Sequence, residues 1–414
     1  MSSYAAVLRT PHAARAFGAA LLGRLSYGTA PLALVLAVKR GSGSYAVAGT
    51  VMALFGISSV LLSPARAALV DRHGPRRALA PMAALYGSLL VTLALVCLAG
   101  GAGAPVLGAL GTAAGACTPP LGPTMRAVWS ELLADRRMLE RAYSLDGVCE
   151  ELLFVSGPLV IGVLVQYVHP AVGVLLGAGL VIVGTFALVA SPAVRAMEPQ
   201  PQPARRGPAR VTGRAPWRPA LVAAGVGLGL GALDLLVLAF ADGRGSSSAA
   251  PWLLAALSAG SAVGGLVNGA VHWRRPARSR LALFAVGLAG ALALAGAAQG
   301  LLTLAAALVL AGLFVAPALT TAYLYADELA APGTRARAGA WVNTAVNAGG
   351  SGASAGVGML VGRLPLPLCF VLAGLPALCC ALAVRASRGA RADARRPASA
   401  TPADQPGPRP TAGR

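Results

Sequence analysis

"LVDRHGPRRAL", residues 69–79, gathers Asp71, Arg72, Arg76 and Arg77 around Gly74 and Pro75, between two long runs almost without charge. Gly followed by Pro makes a tight turn that continues neither flanking helix. A nucleic-acid patch, a catalytic loop or a turn at a membrane surface would each use such residues. The remainder of the chain decides between them.

Of 414 residues, 56% are hydrophobic and 12% charged, and the mean hydropathy is +0.69. Soluble proteins carry roughly 25% charged residues, so this chain lacks the material for a water-facing surface of its own size. A net charge of +20 and a pI near 11.2 would suit nucleic acid as partner. The basic residues, however, recur at every second break between apolar runs instead of forming one stripe. That pattern excludes nucleic acid.

Cys97, Cys117, Cys149, Cys369, Cys379 and Cys380 all lie in apolar runs without zinc-like spacing. His12, His73, His169 and His272 are far apart, in or beside polar breaks. The sequence therefore predicts no metal site, no organic cofactor and no catalytic constellation. The chain does not read as an enzyme.

A bilayer span needs about 20 mostly apolar residues. Between Arg77 and Arg126 lie 48 positions without charge, which as one straight helix would reach about 72 Å. The run must fold back, and "AGGAGAP" at 99–105 supplies the turn. Residues 281–325 behave alike, with a break near Gln299 and Gly300. Ala, Leu and Gly dominate and period-two alternation is missing, so the spans are helices. Twelve are expected, at 15–38, 46–66, 78–99, 105–127, 143–168, 170–192, 218–240, 249–271, 281–299, 301–325, 338–361 and 365–385. The first is too long for a cleaved signal peptide, and further spans follow it at once.

Twelve spans put both termini on one side. That side collects twenty-nine basic residues, loop Arg66 and Arg126 included; the other has Lys39, Arg40, Arg244 and Arg363. The positive-inside rule then places both termini in the cytoplasm. With 33 Arg against one Lys, the composition also suggests a GC-rich genome, and the expected location is a bacterial cytoplasmic membrane. Four segments follow: a six-helix unit at 1–192, a Pro/Arg-rich cytoplasmic linker at 193–217, a second six-helix unit at 218–386, and a disordered cytoplasmic tail at 387–414.

The two units resemble each other. "AGACTPPLGPTMRAVWSELLA" (114–134) aligns with "AGLFVAPALTTAYLYADELAA" (311–331) at a constant offset of 197, matching Pro120 with Pro317 and Glu131-Leu132 with Glu328-Leu329. Duplicated six-helix units related by an axis along the membrane normal are a transporter plan.

Placed after the second of twelve spans, the opening stretch resembles the loop 2–3 signature of the major facilitator superfamily, roughly G-x-L-a-D-r-x-G-r-[rk]. Leu69, Asp71, Arg72, Gly74 and Arg76 or Arg77 match it, while Ala67 stands where the first Gly is usual. The resemblance covers nearly the whole chain. It implies an all-α membrane fold of two pseudo-symmetric six-helix bundles, working by alternating access. It also implies a gate in which Asp71 and Arg72 help to hold the outward-facing state. The expected partners of Asp71 are Arg335, Arg337 and the positive N-terminus of span eleven. Within span five, "SGPLVIG" (156–162) partly resembles the antiporter motif of the family's exporters through Gly157, Pro158 and Gly162; Ile161 departs from it. That match, with a general likeness to actinobacterial exporters, favours export over uptake or facilitated diffusion.

Ionisable residues inside the membrane face a cavity or a partner. Arg24 in span one and Asp234 in span seven are read either as substrate or proton sites or as structural charges, with a direct Arg24–Asp234 pair open to the long Arg side chain. "LDGVCEELLF" adds Asp146, Glu150 and Glu151 at the cytoplasmic end of span five. Three neighbouring acids would raise one another's pKa and suit a proton carrier. Alternatively they would pair with Arg274, Arg275 or Arg278. Asn343 and Asn347, four apart on span eleven, and Asn268 bind substrate or join helices; Tyr27, Gln166 and Trp341 are weaker cavity candidates. The expected whole is a monomeric secondary transporter moving a small organic molecule, energised by protons and needing only the lipid bilayer around it.

Overall fold

The computed structural model describes residues 4–197, 217–246, 249–331, 334–360 and 363–386. They form fifteen helices: α1 (Tyr4–Arg9), α2 (Ala13–Ser42), α3 (Tyr45–His73), α4 (Pro75–Ala99), α5 (Ala104–Cys117), α6 (Leu121–Leu132), α7 (Arg136–Leu164), α8 (Pro170–Val189), α9 (Pro192–Arg195), α10 (Trp217–Asp242), α11 (Ala250–Ala270), α12 (Ala277–Gly296), α13 (Leu301–Leu329), α14 (Arg335–Leu360) and α15 (Leu366–Ala386). Ten of them are long and apolar enough to cross a membrane. The two remaining expected spans correspond to the α5–α6 pair and to α14. The linker core 198–216 and the tail 387–414 lie outside the described residues; the start of the linker forms α9.

The opening stretch is less of a loop than its charges suggested. α3 continues through Asp71 and Arg72 to His73, and α4 begins at Pro75. Gly74 alone separates them, with φ at 80°, a left-handed value that costs any side-chain-bearing residue energy. Pro75 then takes the first helical position, where a missing N–H is harmless. At the "AGGAGAP" turn, Gly100 and Gly101 adopt φ of 71° and 75°.

The fourth span departs from expectation. Instead of one helix over 105–127, the chain breaks at Thr118-Pro119-Pro120, between α5 and α6. Two successive prolines remove two N–H donors and push the residue before them out of the helical region. Its repeat counterpart, α13, carries Pro317 alone and runs unbroken. There the backbone N–H of Ala316, which Pro119 lacks, donates to Ser261 Oγ at 3.2 Å.

Without water to drive apolar faces together, membrane helices associate through close packing of small residues. A Cβ on Gly227 would come within 2.1 Å of Val346 O, and one on Gly231 within 2.1 Å of Gly350 O, so α10 and α14 touch backbone to backbone. In the first half, Gly184 of α8 similarly abuts Gly23 of α2, at 2.1 Å from its N. These contacts keep each half compact, while α3 with α14 and α7 with α11 form the seam between halves. Gly231→Val is expected to abolish monodisperse protein on size exclusion, whereas Gly179→Ala, which meets open space, is expected to keep it.

Candidate functional site

The buried charges assemble around α7. Asp146 is fully buried and accepts from both ends of the Arg24 guanidinium, with Nη1 to Oδ1 at 2.7 Å and Nη2 to Oδ2 at 3.1 Å. Arg126 of α6 meets the same carboxylate through Nε at 3.1 Å and also donates to Glu150. Glu150 lies one helical turn beyond Asp146 on the same face of α7, 4.0 Å from Arg24. Two cations and two anions therefore neutralise one another where neither sign could stand alone. Arg126 further stacks over the ring of Tyr323 of α13, 3.7 Å from its centroid. This cation–π contact ties the cluster to the second half.

Several sequence expectations change here. Arg24 pairs with Asp146 and not with Asp234, which is exposed on α10 one turn beyond Leu230. Asp146 and Glu150 use Arg24 and Arg126 in place of Arg274, Arg275 or Arg278, so the acids are not a like-charge cluster. Arg66 and Arg126, counted with the loops, are both buried in the interior. Moving them leaves the sign of the basic asymmetry unchanged. The counterpart seam contact comes from Arg280, fully buried, whose Nη1 lies 2.6 Å from Glu140 Oε1. Glu140, Arg280 and Asp327 carry no sequence signal, Glu131 and Glu328 are marked only by the internal repeat, and Arg66 and Arg126 were hidden by lying near predicted span ends.

A cavity of about 620 Å³ lies between the halves, within the usual range for small-molecule sites. Tyr27, Arg66, Arg126, Glu150, Glu151, Asn343 and Asn347 are among its lining residues. Glu151 reaches across the seam, where its Oε1 accepts from the Ser261 hydroxyl of α11. Its Oε2 is buried without a hydrogen-bond partner. Asn343 accepts from Tyr323 at 3.3 Å, and Asn347 donates to the carbonyl of Asn343 at 2.9 Å. Gln166 follows the end of α7, and Trp341 is exposed on α14, 46% accessible; neither lines the cavity. Asn268 instead bridges Ser144 and Arg280. Gly157 sits against Gly28, with 2.3 Å from a built Cβ to its carbonyl carbon, while Gly162 meets open space and Pro158 lies inside α7.

Cross-half contacts gather at the end of the bundle that carries the basic loops. Asp71 Oδ1 accepts from the N–H of Ala336 at 3.2 Å and Oδ2 from that of Arg337 at 2.9 Å. The carboxylate thus caps the N-terminus of α14, where free N–H groups and the helix dipole favour an anion. The Arg335 guanidinium goes elsewhere, to Glu131 at 2.9 Å and Asp327 at 3.5 Å. Arg136 pairs in turn with Glu328, and Ser130 donates to Asp327 at 2.9 Å. Glu131 and Glu328 are the residues that the 197-residue offset equates. Each reaches an arginine at the start of a helix in the opposite half. Beneath Asp71, Ala67, Ala127, Ala336 and Ala340 form a small apolar plug. Arg72, Arg76 and Arg77 remain exposed, outside these contacts.

A two-part helical bundle with cross-half contacts gathered at one end, around a mostly apolar cavity that carries a few charged groups, is the architecture of a membrane transporter. Comparison with known families agrees: the family model described as Major Facilitator Superfamily matches residues 16–298, more than half of the chain. The chain belongs to the Major Facilitator Superfamily and is an integral, multi-pass membrane protein. Among solved structures, it is similar to a bacterial homologue of the iron transporter ferroportin in the outward-facing state, with a TM-score of 0.71 and 13% identity, covering 92% of this chain and 99% of that one. It is also similar to the human organic anion transporter MFSD10 (TETRAN), with a TM-score of 0.70, 14% identity and coverage of 90% and 98%. At such identities the likeness establishes the fold. No curated protein matches the sequence.

Two substitutions follow from these contacts. Asp146→Ala strands two buried arginines and is expected to cost about 3–5 kcal/mol, read as loss of folded protein in a thermal melt. Combining Asp146→Leu with Arg24→Met is expected to restore most of it, since Arg126 keeps Glu150. Asp71→Asn places an amide donor against an N–H of α14. It is expected to raise maleimide labelling of an Ala340→Cys probe, which in the closed arrangement is fully buried.

Proposed function

We propose that the protein is a twelve-span secondary active transporter of the bacterial cytoplasmic membrane, exporting a small organic molecule by proton-coupled alternating access. The observation that carries this reading is Glu151, an acid on the cavity wall bonded across the seam to Ser261. A carboxylate in that position can report its protonation to both halves at once. Proton arrival would weaken its demand for the Ser261 hydroxyl and free α7 to move against α11. The neighbouring Arg24–Asp146–Arg126–Glu150 set is internally neutral and serves as the fixed frame against which that change is felt.

Both termini are assigned to the cytoplasm by the basic asymmetry. The end at which the cross-half contacts gather is then the cytoplasmic one, which supports reading the arrangement as outward-facing. Export is supported by the partial Gly157-Pro158-Gly162 motif, of which Gly157 provides the close approach of α7 to α2. An organic substrate is favoured over a metal ion because, among the described residues, no group of three or more His, Cys, Asp or Glu could hold one. The working unit is a monomer, since the cavity is complete within one chain.

The test compares growth media of cells overproducing the wild type and Glu151→Gln by untargeted metabolite analysis. At least one small organic compound is expected to accumulate outside with the wild type and to fall to background with Glu151→Gln or a protonophore. One proton per cycle at 100 mV is worth about 2.3 kcal/mol, so the sustained concentration ratio should drop by up to about fifty-fold. Export undiminished in the variant removes Glu151 from coupling, and accumulation inside the cells reverses the direction.

A further inference from the structure

The cavity holds a second arginine whose charge the network does not cancel. Arg66 of α3 lines the cavity and is only 7% exposed. Its Nη1 donates to the carbonyls of Gly115 and Ala116 at 2.8 and 2.9 Å, and its Nη2 to that of Ser59 at 2.6 Å. The two Nη1 bonds close the C-terminus of α5 at the proline break, a helix end worth roughly half a negative charge, while the Nη2 bond returns to α3 itself. The Nε is buried and has no hydrogen-bond partner. Among the described residues no carboxylate lies within 4.0 Å of this guanidinium. Every other arginine buried at mid-depth is matched: Arg24 and Arg126 share Asp146 and Glu150. The remaining cavity acid, Glu151, is committed to Ser261.

An unpaired guanidinium in so low a dielectric is costly unless an anion completes it. Tyr27, Ser63, Tyr86 and Thr118 line the same cavity as Arg66, the Tyr27 and Thr118 hydroxyls donating to backbone carbonyls, and Phe55 and Phe154 bring apolar surface. This combination suits a ligand with one anionic head and an apolar body. We propose that Arg66 is the anchoring site for the anionic group of the transported molecule, a carboxylate, sulfonate or phosphate monoester on a small organic body. The inference rests on the transporter reading given above and narrows its substrate class.

The experiment uses the full chain in nanodiscs of phosphatidylcholine alone, so that no anionic lipid is present. Benzoate, benzenesulfonate and phenyl phosphate are titrated against benzamide and benzylammonium, with thermal shift and calorimetry as readouts. At least one anion is expected to raise the unfolding midpoint with saturation, while the neutral and cationic analogues do not. Arg66→Met should weaken that anion about tenfold or more, the loss expected for a charge-assisted hydrogen bond, and Arg66→Lys should fall between. No preference for any anion over the neutral analogue overturns the proposal in the wild type itself, whatever the variants do. Equal anion affinity in folded Arg66→Met also overturns it. A third contrary result is an Arg66-dependent stabilisation by phosphatidylglycerol discs without response to soluble anions, which assigns the site to a lipid headgroup. Counterflow of the best anion in proteoliposomes separates the two levels: Arg66-dependent binding without counterflow defeats the transporter reading and leaves the anion site standing.

Discussion

A charge inside a bilayer must meet its opposite, and Asp146 is where this chain satisfies that demand. Its carboxylate has no exposure and touches two arginines from two other helices, so α2, α6 and α7 cannot separate without uncovering ions. Glu150, one turn further along α7, completes the neutrality. Arg126 then extends the frame to Tyr323 in the other half. Cavity, seam and broken helix are all arranged around this fixed point. α6 has to begin afresh after the Pro119-Pro120 break, and only then does Arg126 enter the interior at the depth of Asp146.

The seam at the basic-loop end has a different character. It is built from reciprocal contacts, Glu131 with Arg335 and Glu328 with Arg136, which exchange helix ends between the halves. Exposed ion pairs of this kind are individually worth little. Exposed pairs, an α14 N-terminus capped by Asp71 and a plug of alanines make most of this closure, and the buried Arg280–Glu140 pair is its one costly ionic contact. The central quartet is largely buried and internal to one half apart from the Tyr323 contact; the seam is shared, its ion pairs at least partly exposed except for the buried Arg280–Glu140 pair. A transporter needs that contrast, because one part must persist through the cycle while another is broken and remade.

Much of the fold was legible in residues whose physics is local. Long uncharged runs gave the spans and Gly74-Pro75 gave the turn. The repeat between 114–134 and 311–331 even equated Glu131 with Glu328, the two acids that exchange partners. Asp71 could be singled out because topology does not require an acid there, and its carboxylate does meet the α14 N-terminus. What stayed hidden depends on which helices touch. Nothing in the sequence near Arg24 says that its partner is Asp146, 122 residues away, and Asp234 was an equally reasonable guess. Arg66 and Arg126 were misread because a basic residue near a span end counts as a topological signal whether it faces water or protein. The Pro119-Pro120 break was visible as composition, yet its consequence, exposed carbonyls that Arg66 and Tyr27 close, needed the third dimension.

The central claim is that the halves exchange closure between the two ends of one cavity. Its most direct measurement is a pair of spin-label distance distributions by pulsed electron resonance in nanodiscs. One label pair replaces the exposed Arg77 and Arg274 at the basic-loop end, the other Val106 and Leu302 at the opposite end. The account predicts that the two distances change reciprocally with pH: where the first lengthens, the second shortens. Two distributions that stay single and fixed across pH, or that lengthen together, would contradict it.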